Sequence, residues 1–154
     1  MYQMRQMLTS PIASGTPRPL PNCITMTFHH TSHWNRKKVL VVDDEAILRM
    51  VASDYVEETG LEAIEVKSAD EALAILNTVH GICAVITDIQ MPGSIDGLEL
   101  AALIRHRWPH IAVVVASGRV VPIGNQLPAG ARFLAKPYGP AEIATLLRQA
   151  EACA

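Results

Sequence analysis

The chain has 154 residues, 49% of them hydrophobic, and a formal net charge of −2. A chain of that length buries a proper core as one domain, is too apolar to be disordered, and holds no apolar stretch near the roughly 20 residues that cross a membrane. Cys23, Cys83 and Cys153 are scattered, with no CxxC pair for zinc and no disulfide framework, and no apolar run near the start reads as a secretory signal, so a reduced cytoplasm is expected.

Residues 1–37 contain Pro11, Gly15, Pro17, Pro19 and Pro21 with no sustained period, which predicts a disordered N-terminal extension. Over residues 1–38, Arg5, Arg18, Arg36, Lys37 and Lys38 stand without an acid. That local charge of +5 faces −7 over the remaining residues, where 8 basic and 15 acidic side chains give the overall −2. A basic arm on an acidic body is able to meet nucleic acid, but five charges over so long a segment is sparse, and a solvated tail is expected. His29, His30 and His33 lack the Cys or carboxylate partners of a metal site and are taken as incidental. Met26 is an alternative start just ahead of the domain.

From Lys38 onward strands and helices alternate. The first strand is Val39–Val42, followed by a helix over Ala46–Glu58 whose buried stripe is Ile47, Met50, Val51 and Tyr55 and whose stop is Gly60. A second strand, Glu62–Val66, leads into a helix over Ala69–Thr78, with Ser68 and Glu71 spaced as a capping box. The third strand is Cys83–Thr87, and the third helix spans Asp96–Trp108 until Pro109 ends it. Ile111–Ala116 and Arg132–Ala135 are the last two strands. Pro140 opens the final helix over Ala141–Glu151, with Ile143, Leu146 and Leu147 inward. Between Gly118 and Ala131 a further helix is due, yet Pro122, Gly124, Pro128 and Gly130 break it. The resulting class is α/β, a doubly wound five-stranded parallel sheet in the order 2-1-3-4-5 with its fourth helix degenerate or missing.

Polar residues close four of the apolar runs. Asp43-Asp44-Glu45 follows the first strand, Asp88 the third, Ser117 the fourth and Lys136-Pro137 the fifth. The carboxyl ends of parallel strands are where such folds hold ligands. Three carboxylates converging there need a cation, and an open oxygen site suits Mg²⁺. Each residue alone has a plainer reading: Asp44 as a helix cap, Asp88 or Ser117 as turn residues, Lys136 as a surface side chain before a proline turn. All of them in this order, each closing an apolar run, form a specific pattern.

The pattern, from about Lys38 to Ala150, resembles the phosphoacceptor site of a two-component response regulator receiver domain of the stand-alone, chemotaxis-regulator-like kind, with its flavodoxin-like fold. The expected domains are thus the extension 1–37 and a receiver over 38–154. The resemblance implies that Asp88 accepts a phosphoryl group from a phosphohistidine, and that Asp44, Asp88 and the backbone carbonyl of Gln90 bind Mg²⁺, with Asp43 acting through water. It assigns Lys136 and the Ser117 hydroxyl to the phosphoryl oxygens and implies a cis Lys136-Pro137 peptide. Ser117 and Phe133 would form the switch, though the family often has tyrosine at the latter position. Gln90 and Arg119 would tune the lifetime of the phosphorylated state.

Two departures stand out. The loop Met91-Pro-Gly-Ser-Ile-Asp-Gly97 is one residue longer than the common form, and the broken fourth helix removes part of a face the family commonly uses for dimerisation and output. The resemblance implies a histidine kinase or histidine phosphotransfer protein as partner and a downstream protein target, and the apolar face of the first helix near the site, Ile47, Leu48 and Val51, is the candidate docking surface. A homodimer stays open, and membrane or nucleic-acid partners are not expected. Such a chain is no enzyme beyond its own phosphorylation and dephosphorylation. Competing readings are a phosphorylation-independent scaffold and a Mg²⁺-dependent phosphohydrolase. The latter needs an acid two residues after the nucleophile, where this chain has Gln90.

Overall fold

The computed structural model describes residues 37–151, with side chains through residue 149. The expectations for the extension, Met26, the histidine cluster, Cys23 and Cys153 lie outside the described residues, apart from Lys37. The elements are β1 (Lys38–Val42), α1 (Ala46–Glu57), β2 (Glu62–Val66), α2 (Ala69–Thr78), β3 (Ile82–Asp88), α3 (Gly97–Arg107), β4 (Ala112–Ser117), β5 (Arg132–Ala135) and α4 (Pro140–Glu151). The strands form one parallel sheet ordered β2-β1-β3-β4-β5, as the alternation predicts.

Because side chains alternate across a strand, the central strands feed two cores. Leu40, Val42, Val85, Val113 and Val115 join α2 and α3 on one face. Val39, Val41, Ala84, Ile86, Val114 and Ala116 join α1 and α4 on the other. Runs such as Val-Val-Val therefore need no polar interruption, since both faces are covered. Pro140 opens α4, and Ile143 and Leu147 are its buried anchors, while Leu146 is half-buried.

α1 corrects the sequence expectation. Its buried residues are Ala52, Ser53 and Val56, while Ile47 and Met50 are 72% and 53% exposed and Val51 and Tyr55 half-buried. The helix meets the sheet through small side chains that let it lie close, and its larger apolar residues face outward. Burying a side chain such as Val56 stabilises by about 2 kcal/mol, a contribution Ile47 does not make at its exposure.

The missing helix is confirmed. Between β4 and β5 there is only a single 3₁₀ turn, Gly124–Gln126. Val120, Leu127 and Ala131 pack against the α2–α3 core, but Val121 and Ile123 are 65% and 78% exposed. Among the described residues, no helix is long and apolar enough to cross a membrane.

Candidate functional site

The four polar closures meet at the carboxyl edge of the sheet. β1 ends in Val42, so the next side chain, Asp43, leaves the strand at its edge, 4% exposed. Its Oδ1 accepts the Glu45 N–H at 2.9 Å and its Oδ2 accepts the Lys136 ammonium at 2.7 Å. The same ammonium lies 3.0 Å from Asp88 Oδ1. Asp88 Oδ2 accepts the Gln90 N–H at 3.2 Å. One lysine thus bridges two carboxylates from neighbouring strands and leaves one negative charge of the pair uncompensated.

Asp44 is exposed and is no helix cap: the residue at the start of α1 is Glu45, which makes no side-chain cap bond. Among the described residues Asp44 has no ion pair. Ser117 is 4% exposed, and its Oγ accepts the N–H groups of Arg119 (3.3 Å) and Val120 (3.1 Å). The plain turn expected of it is present, and its hydroxyl proton is left free to donate. The Lys136-Pro137 peptide is cis, and the Lys136 N–H bonds the Ser117 carbonyl at 2.9 Å.

Asp44, Asp88, Gln90, Ser117, Arg119 and Lys136 all line one open cleft of about 620 Å³. Leu48, Val51, Tyr55 and Tyr138 extend it along α1 as an apolar wall. Phe133 is not in the cleft; it packs half-buried against the α2–α3 core. Burial alone would lower the Lys136 pKa, but the bonds to Asp43 and Asp88 outweigh it and hold the ammonium above its ordinary value. Burial raises the Tyr138 phenol, and the Asp43 and Asp88 carboxylates add to the rise against the opposing pull of Lys136.

Acids after β1, an acid ending β3 and a lysine after β5 thus surround one cleft. The description "Response regulator receiver domain" fits residues 39–148. This chain belongs to the response regulator receiver family. The response regulator protein FleR of Pseudomonas aeruginosa is 39% identical over 104 residues, which is 66% of this chain and 22% of that protein. The transcriptional regulatory protein ResD of Bacillus subtilis is 32% identical over 123 residues, 75% of this chain and 50% of that one. A response regulator receiver protein of Sinorhizobium medicae superposes with a TM-score of 0.72 at 26% identity, over 79% of this chain and 99% of that one. The chain spans at most half the length of these two curated relatives.

The receiver's donor set suits a hard divalent cation. Among the described residues Asp44 makes no ion pair, and it lines the cleft with Asp88 and Gln90, while the single ammonium of Lys136 meets only one of the two charges on Asp43 and Asp88. Among the described residues no three carboxylates, histidines or cysteines close into a metal cage. Mg²⁺ does not require one, since it takes one or two carboxylates and keeps several waters.

Sequence reasoning missed two contributors. Arg49 on α1 donates to the Asp43 carbonyl at 2.5 Å and pairs with Glu65 on β2 at 3.3 Å, fixing the chain where β1 ends. The signal available was a helix arginine opposite an acid near the end of the neighbouring strand. Tyr138, two residues after Lys136, closes the apolar end of the cleft with Tyr55; its position directly after the proline was the only hint.

Proposed function

We propose that this receiver takes a phosphoryl group from a phosphohistidine of a histidine kinase or histidine phosphotransfer protein onto Asp88, in the cytoplasm, and signals to a downstream protein through surface contacts. The observation that carries this reading is the single ammonium of Lys136 within 3.0 Å of both Asp43 and Asp88 at the floor of an open cleft. A carboxylate oxygen of Asp88 attacks phosphorus, an O–P bond forms, the P–N bond breaks and its electron pair leaves with the imidazole. Lys136 supplies positive charge to the phosphoryl oxygens as a point donor. The Ser117 hydroxyl, whose oxygen already accepts two backbone N–H groups, donates its own proton to a phosphoryl oxygen. Mg²⁺ held by Asp44, Asp88 and the Gln90 carbonyl, with Asp43 acting through water, would neutralise charge that develops on the transferring group.

The wall formed by Leu48 and Val51, with exposed Ile47 beside it, seats the donor protein. Gln90 and Arg119 stand at the cleft rim, where long side chains hinder in-line attack by water and prolong the phosphorylated state. Movement of Ser117 toward the phosphoryl group, followed by Phe133, carries the change to the β4–β5 segment. Gln90 offers an amide in place of the acid a phosphohydrolase needs, and no observation favours that chemistry.

The test is intact mass after incubation with Mg²⁺ and a small-molecule phosphodonor. A gain of one phosphoryl group that requires Mg²⁺ and is absent in Asp88→Asn is expected. A folded protein that gains nothing would overturn the reading in favour of a phosphorylation-independent scaffold.

A further inference from the structure

The longer β3–α3 loop is tied to α2 at its middle. Ser94 Oγ donates to Asp70 Oδ1 at 2.5 Å, and the Ser94 N–H donates to Asp70 Oδ2 at 3.4 Å. Gly93, at φ +147°, brings the chain so close that a Cβ there would stand 3.1 Å from Asp70 Oδ2. Asp70 lies in the first turn of α2, whose positive end favours a carboxylate. The Ser94 hydroxyl bond, helped by the Ser94 N–H, holds its pKa below the ordinary value.

The other anchors lie within the loop and α3. Gln90 N–H bonds Asp88 Oδ2, Met91 packs on the core, and Asp96 and Glu99 cap α3 reciprocally. A loop with one added residue has more conformations to lose when its backbone becomes a ligand. A contact that removes those conformations beforehand strengthens the ligand it orients.

We infer that Asp70 and Ser94 are positioning residues, clasping the β3–α3 loop to α2 so that the Gln90 backbone is held ready for a divalent cation beside Asp44 and Asp88. The inference rests on the phosphoacceptor reading of the site.

The experiment uses the full chain, Ser94→Ala, Asp70→Asn and the double variant. Mg²⁺ alone is titrated by calorimetry, and amide hydrogen exchange of residues 90–95 is followed without metal. Ser94→Ala is decisive because it removes a donor without changing charge. It is expected to weaken Mg²⁺ about fivefold, the worth of one modest hydrogen bond, and to speed exchange in the loop but not in the sheet. Asp70→Asn keeps an acceptor for Ser94 and should stay closer to wild type, and the double variant should be no weaker than Ser94→Ala. Faster loop exchange with Mg²⁺ affinity within about twofold of wild type would overturn the positioning role. Wild-type protein that takes up no Mg²⁺ would instead overturn the reading of the site on which the inference rests, a failure visible before any variant is made.

Discussion

Two irregular segments leave adjacent strands at the same edge of the sheet, and they are held in opposite ways. The β3–α3 loop is fixed along its length: Gly97 N–H bonds the Ile89 carbonyl, Asp70 clasps Ser94, and a capping box closes onto α3. The β4–β5 segment is fixed at its ends. Its start hangs on Ser117 Oγ, and near its finish Arg105 Nε donates to the Ala129 carbonyl at 3.2 Å. Between those points Val121 and Ile123 stand in solvent. One rim of the cleft is therefore rigid by construction, while the other begins at the residue proposed to move.

The sharpest way to break this contrast is Gly97→Ala. A Cβ at that position would lie 1.8 Å from the Asp88 carbonyl oxygen and 2.7 Å from its carbon. Both are backbone atoms, so no side chain is able to rotate away, and the helix and strand must part. A loss on the order of 3 kcal/mol is expected from urea unfolding, with the rigid rim disrupted. A loss under about 1 kcal/mol would show that the loop is far more compliant than its anchors imply.

Arg105→Ala attacks the other rim. The guanidinium also bonds the Pro109 carbonyl at 2.9 Å and sits where Gly130, at φ +79°, leaves room for it. Losing charged hydrogen bonds of this kind at a half-exposed position is expected to cost about 1.5 kcal/mol. Faster hydrogen exchange should spread through residues 119–130 and leave 90–97 unchanged. Exchange that rises equally in both segments would erase the distinction.

Which parts of this were legible follows from how far each contact reaches along the chain. β2, β5 and α2 fall on the residues their local patterns mark, and the residues that close the apolar runs are brought together at one edge of the sheet. The broken helix was readable because Pro122 and Pro128 act locally. α1 was misread because an apolar residue on an amphipathic helix looks the same whether it faces a core or solvent. Ile47 and Met50 supplied the hydrophobicity, while Ala52 and Val56 supplied the burial. At α2 the spacing was right but the geometry differs. Ser68 does accept the Glu71 N–H, yet Glu71 reaches back to Lys67 rather than to Ser68. The reciprocal box lies at Asp96 and Glu99, where the same spacing went unread. The Asp70–Ser94 clasp joins residues 24 apart and leaves no periodic trace.

The lysine between the two rims gives the contrast a pH signature. A group whose pKa is raised on folding contributes stability that is complete below its unfolded value and is lost as pH climbs through the folded one. Lys136 and Tyr138 are both raised, so their contributions are intact at neutral pH and decline above about pH 10. Urea midpoints from pH 7 to 11 should be level and then fall. In Lys136→Met the fall should be shallower, because one of the two groups is gone. Parallel curves for the two proteins would show that the ammonium bridging Asp43 and Asp88 is not the source of the alkaline loss.

The smallest effect is the most discriminating for the free rim. Val121→Ser together with Ile123→Ser removes two β-branched apolar side chains, which in a regular fourth helix would be candidates for packing on the sheet. Here they are 65% and 78% exposed, with only Val120, Leu127 and Ala131 of the segment touching the core. Exposed positions of this kind move stability by no more than about 0.5 kcal/mol, and the double variant should unfold at the wild-type midpoint within that margin. A loss above about 1 kcal/mol would mean that the segment spends its time packed down like the helix it lacks. The rim beginning at Ser117 would then be as fixed as the one ending at Gly97, and a change at Asp88 would have no loose element to bias.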